Sequence, residues 1–123
     1  MGIQVVDYHS LSHFIGGFIS FICLKSLGVS DLQNFAAANG IHFLIECLEN
    51  NKKPNGKILE TFENHVGDVF CFAVGWFLSL YASVDAGGYV PYLWCILIYT
   101  TVTEIYRELY PYSSSIFHVG AFA

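Results

Sequence analysis

The chain has 123 residues and a mass of 13.7 kDa, which allows one domain or one small helical bundle. Charged residues make up 12%, aromatics 17%, and mean hydropathy is +0.51, a balance that excludes a disordered chain. Net charge is −5 with five Lys and Arg in all, so no nucleic-acid partner is expected. A soluble domain this small leaves a large share of its surface in water and needs more polar cover than this. The composition therefore points to lipid.

Charge placement agrees. Of the fifteen charged residues, eight fall between Glu46 and Asp68, and Asp85 is the single charge from Val69 to Thr103. Charge gathered at the ends of apolar runs is what hydrocarbon demands. Four runs result, and the expected fold is all-α: a polytopic membrane protein forming a bundle of four transmembrane helices within one domain, residues 1–123. The spans are expected over about 11–29, 32–48, 66–84 and 89–106, each near the roughly 17–25 residues that cross a bilayer.

The first run is broken by Lys25 alone, which can snorkel to the headgroups. No Lys or Arg precedes it, so this span is expected to be retained rather than cleaved as a signal peptide. Ser30-Asp31-Leu32-Gln33 reads as a capping box opening the second helix. That span is the weakest, with Asn39, His42 and Glu46 inside it; an acid at mid-helix costs about 2.5–3.5 kcal/mol on insertion scales. Asn50 to Lys57, with Pro54 and Gly56, reads as an aqueous loop. The third helix is expected to begin near Ile58, before the membrane. Asp85-Ala86-Gly87-Gly88 reads as a turn, and Pro91 suits the first turn of the fourth helix. Tyr89, Tyr92, Trp94, Tyr106, Tyr110 and Tyr112 flank that helix as an interfacial belt. The segment 107–123 reads as an interfacial or flexible tail. Lys52, Lys53, Lys57 and Arg107 place their loop and both termini on the cytosolic-equivalent side of a multi-pass protein.

Cys23, Cys47, Cys71 and Cys95 fall one per span in apolar context, without a CxxC. They are expected as four small, buried, reduced side chains.

Polar and small residues fall in stripes at helical spacing. His9, His13, Gly17 and Ser20 share one face of the first helix. Asn39, His42, Glu46 and Glu49 or Asn50 share one face of the second, and Glu60, Asn64, Asp68, Cys71, Gly75 and Ser79 one face of the third. Small residues let helices approach closely in lipid, and polar residues bond across the gap. The residues expected to meet, or to border the meeting point, are His13, His42, Glu46, Glu49, Asn50, Asn64 and Asp68. His65 lies about 100° off its stripe and is expected at the interface instead. Packing glue is the first expectation for the cluster. A proton or small-molecule site comes second, and a divalent metal on His and carboxylate ligands third.

Three segments carry a family resemblance. Ser12-His13-Phe14-Ile15-Gly16-Gly17-Phe18, Glu46-Cys47-Leu48-Glu49-Asn50, and Asn64-His65-Val66-Gly67-Asp68 with Gly75 seven residues on resemble the three motifs of a small uncharacterised bacterial integral-membrane family related to VanZ-like proteins. The resemblance covers roughly residues 10–80. The stretch between the second and third motifs is shorter here than in that family, with Lys and no Arg. VanZ-like proteins are associated with glycopeptide-antibiotic resistance. The resemblance implies the membrane fold and the polar cluster, not a reaction.

The chain lacks HExxH, P-loop and GxGxxG patterns, and no Ser or Cys nucleophile sits at recognisable spacing from a base. No enzyme activity, cofactor or metal is assigned. The first functional expectation is a structural or packing subunit of a larger membrane assembly, of respiratory-complex or virion-membrane type. Its partners would be membrane lipids and other membrane proteins. The alternative is a stand-alone VanZ-like protein that binds or acts on a lipid-linked or amphipathic molecule. That alternative requires a cavity reaching His13, Glu46 and Asp68 from one leaflet.

Overall fold

The computed structural model describes residues 8–49 and 62–109, all of them in helices or the turns between them. Helix α1 spans Tyr8–Lys25, α2 Asp31–Glu49, α3 Phe62–Ala82 and α4 Val90–Leu109. A short 3-10 turn, Gly87–Tyr89, precedes α4. The tail beyond 109, the loop 50–61 with the expected start near Ile58, and Tyr110 and Tyr112 lie outside the described residues.

The ends of the helices follow local chemistry. Helix α1 stops at Lys25, four residues short of the expected end, because the chain turns over at Gly28 with φ +78°. Lys25 pairs with Asp31 at 2.7 Å across that turn. Both side chains are half exposed, so the pair contributes about 0–1 kcal/mol. The capping box forms as read: Gln33 N–H donates to Ser30 Oγ at 3.2 Å, and Ser30 N–H donates to Gln33 Oε1 at 3.0 Å. Asp85 accepts from Gly87 N–H at 3.0 Å, closing the turn that leads to Pro91 in the first turn of α4. Glu46 sits in the last turn of α2.

Successive helices run antiparallel. Ser10 of α1 bonds Asp68 of α3 at one end, while Trp94 near the start of α4 bonds Ser26 just after α1 at the other. Helix α1 packs chiefly on α3, α2 lies against both, and α4 leans on α1 and α2. The α1–α3 contact is a backbone approach. A Cβ on Gly17 would collide with the Phe72 carbonyl, and one on Gly75 with the Phe14 carbonyl. Only glycine permits this spacing.

The distribution of side chains is inverted relative to a soluble domain. Among the described residues, the buried apolar side chains are Phe21, Ile22, Cys23, Ala38, Ile45, Phe72 and Trp76. Buried polar ones are more numerous and include Ser10, Asn34, His42, Glu46, Asn64, His65, Asp68 and Ser79. Large apolar side chains stand exposed on every helix, among them Ile15, Phe43, Phe70 and Ile98. Single exposed apolar residues are ordinary, but a polar interior inside an apolar shell is not. Among the described residues, one helix, α3, is long and apolar enough to cross a membrane.

Asn34 anchors the end opposite the acidic cluster. Fully buried, it donates through Nδ2 to the Phe21 carbonyl at 3.0 Å and accepts from Trp76 Nε1 at 2.9 Å. Asn34→Leu would leave the indole N–H without its acceptor, a loss of about 1–3 kcal/mol. Thermal unfolding in detergent should show the drop, and an unchanged transition would mean that the bond carries no weight.

Candidate functional site

Four of the expected residues converge, and a fifth borders them. The N-terminal half of α1 carries His13, the last two turns of α2 carry His42 and Glu46, and the first two turns of α3 carry Asn64 and Asp68. Antiparallel packing brings these segments to one end of the bundle. Glu46 and Asp68 both turn inward, 3% and 1% exposed. His13 bridges them, with Nδ1 3.7 Å from Glu46 Oε1 and Nε2 3.5 Å from Asp68 Oδ2. His42 Nε2 lies 3.6 Å from the same Oε1. Asn64 is buried in the first turn of α3. Glu49 ends α2 with its side chain outside the described residues, and Asn50 lies outside them too.

Four residues depart from the sequence reading: His65, Asn39, Cys47 and Cys95. His65 is buried, not interfacial, and donates through Nδ1 to Glu46 Oε2 at 2.8 Å. The reason is that α3 is packed against both α1 and α2, so its inward surface is two stripes wide. Asn39 is not part of the cluster; its amide returns to the Phe35 carbonyl of its own helix at 3.3 Å. The inward face of α2 runs instead through Asn34, Ala38, His42, Ile45 and Glu46. Of the cysteines, Cys23 is buried and Cys71 half-buried, but Cys47 and Cys95 are exposed, because the faces carrying them point away from the bundle. Sequence reading also missed Ser10, which donates to Asp68 Oδ1 at 2.8 Å. It lies one residue from His9, at the edge of the stripe, and a wider inward face on α1 would have included it.

Glu46 is the hub. Its carboxylate faces three imidazoles, one on each inner helix. The His42 ring is held firmly: it stacks on Phe72 with centroids 4.1 Å apart and planes 7° apart. The Asp68 backbone lies against the His42 ring. His42 Nε2 is buried, turned toward Glu46 and without a hydrogen-bond partner. The atoms offered by His13, His42 and Glu46 lie within 4.8 Å of one another. Chemically this is a two-histidine, one-carboxylate donor set.

The set is open on one side. A cleft of about 550 Å³ runs between α4 and the α1–α2 pair and reaches His13 and His42. Its walls are mainly apolar, including Ile15, Ile19, Ile41 and Leu97, with Ser12 and Glu104 near the histidine end. Comparison with known protein families, curated proteins and solved structures finds no match to this chain.

Proposed function

We propose that this chain is an integral membrane protein of four spans, VanZ-like in kind, that binds an amphipathic or lipid-linked molecule with its polar head at His13 and His42. The observation that carries this reading is the cleft: apolar walls lead from the outer surface of the bundle to two histidines backed by Glu46. An apolar channel with a few convergent polar groups at one end suits a molecule with a tail and a head. The inverted distribution of polar and apolar side chains supports the lipid setting. So do the helix lengths of 18 to 21 residues, about 27–32 Å at 1.5 Å per residue against a hydrocarbon core of about 30 Å.

The ends of α2 and α3 that residues 50–61 join lie at the cluster end, and that stretch of sequence includes Lys52, Lys53 and Lys57. By charge bias that end faces the cytosol, and the head group is taken from the cytosolic leaflet. A packing subunit of a larger assembly accounts for the exposed apolar faces equally well, but it gives no reason for a cleft ending on histidines. The test is photo-crosslinking in membranes with a diazirine-tailed phospholipid. Wild type should label on α1 or α4. Thr100→Trp, which fills the cleft from an exposed position on α4, should cut labelling at those sites about tenfold, equivalent to a loss of about 1.4 kcal/mol of binding. Equal labelling of wild type and Thr100→Trp would remove the cleft as a binding site.

A further inference from the structure

We infer that His13, His42 and Glu46 hold a divalent transition-metal ion of zinc type, with one coordination position open to the cleft. The inference rests on the amphipathic-ligand reading for the identity of the fourth ligand, but not for the metal itself.

Distance argues first. Two heavy atoms sharing a proton lie about 2.7–3.2 Å apart. Glu46 Oε1 stands 3.7 Å from His13 Nδ1 and 3.6 Å from His42 Nε2, too far for either proton bridge. Two ligands of one ion at bonds of about 2.1 Å lie about 3.4 Å apart at the tetrahedral angle and about 3.6 Å apart at 120°. Both edges therefore match the spacing of ligands around a single ion. The third edge, between the two imidazoles, is within 4.8 Å, and an ion draws the two rings together to close it.

Orientation argues second. A metal-bound histidine usually donates its other ring N–H to a carboxylate or a backbone carbonyl, which fixes the tautomer. His42 has the Asp68 backbone against its ring and an unpartnered buried Nε2 turned toward Glu46. His13 turns Nδ1 toward Glu46, and its Nε2 stands 3.5 Å from the Asp68 carboxylate that Ser10 holds. Glu46 is oriented in turn by His65 on its second oxygen. A cluster serving only as packing glue has no need to leave a buried imidazole nitrogen facing a carboxylate at 3.6 Å.

Three protein ligands and one free position describe a site that receives something rather than a closed structural site. The free position faces the cleft through His13 and His42. There the ion would take an oxygen of the head group.

The test is cobalt titration of the full chain in detergent after removal of metals with a chelator. Wild type should take up one equivalent and develop the visible absorption of low-coordinate cobalt, and zinc should displace it. His42→Gln should abolish the signal. Asp68→Asn, which keeps all three ligands, should weaken binding about 10–100-fold. Asn39→Ala should bind as wild type. Circular dichroism separates loss of metal from loss of fold. Helical wild type that takes up no cobalt, or His42→Gln that takes up as much as wild type, overturns the proposal. Lipid crosslinking without cobalt uptake overturns the metal and leaves the cleft standing. Cobalt uptake without crosslinking supports the metal and removes the lipid.

Discussion

Gly17→Ala should break the bundle, while Gly16→Ala should leave it intact. A Cβ at position 17 runs into the Phe72 carbonyl and carbon and comes close to the Trp76 nitrogen, all backbone atoms of α3. They cannot swing aside as a side chain can, so α1 and α3 must separate. The expected loss is about 3 kcal/mol or more, the upper end of overpacking costs. At position 16 the nearest atom is Phe72 Cε2 at 3.6 Å, ordinary contact with a ring edge. There the gain in helix propensity, up to about 1 kcal/mol, faces little opposition. The two substitutions are chemically identical and adjacent. Their difference in unfolding midpoint in detergent therefore isolates the α1–α3 backbone contact. Equal midpoints would mean that the helices do not touch at Gly17.

The second large effect is expected at Glu46. Its carboxylate accepts from His65 at 2.8 Å and faces His13 and His42, with 3% of the residue exposed. Glu46→Ala removes the anion that the three imidazoles surround and leaves a void among polar groups. Breaking a buried charged network in this way costs about 3–5 kcal/mol. Glu46→Gln should lose less, because the amide oxygen still accepts from His65. Asn39→Ala, on the same helix but with its amide bonded back to the Phe35 carbonyl of its own turn, should stay within about 0.5 kcal/mol of wild type. Denaturant titration in detergent should give the order Asn39→Ala, Glu46→Gln, Glu46→Ala, from mildest to most severe. A Glu46→Ala protein as stable as Asn39→Ala would mean that the cluster is not a structural unit.

Much of this arrangement can be read in the sequence, for reasons that are local. Ser30 and Gln33 cap each other because both partners lie within one turn. Pro91 starts a helix because its missing N–H has no intrahelical role there. His13, His42, Glu46 and Asp68 converge because three short polar stripes at helical spacing fall on the faces that α1, α2 and α3 turn toward one another. What the sequence conceals depends on which helices neighbour which. His65 looks misplaced only if α3 is given one partner; with α1 and α2 both against it, a residue about 100° from Asn64 is still inside. Asn34 is hidden differently. The residue that continues its line toward His42 is Ala38, small and silent in polarity, so Asn39 draws the stripe one residue off. Its true partner, Trp76, lies 42 residues away in the chain. Among the described residues α3 alone meets a composition test for a span, and in α2 the polar residues that lower the average, Asn34, His42 and Glu46, are buried.

The account depends on hydrocarbon being the solvent outside the bundle. Spin labels placed singly at Phe43 on α2 and Phe70 on α3, both exposed and both away from the cleft, in a cysteine-free background reconstituted in bilayers, measure this directly. Both labels should collide far more often with dissolved oxygen, which concentrates in lipid, than with a water-soluble nickel chelate. Collision dominated by the chelate at both positions would place water where the account requires acyl chains, and would contradict it.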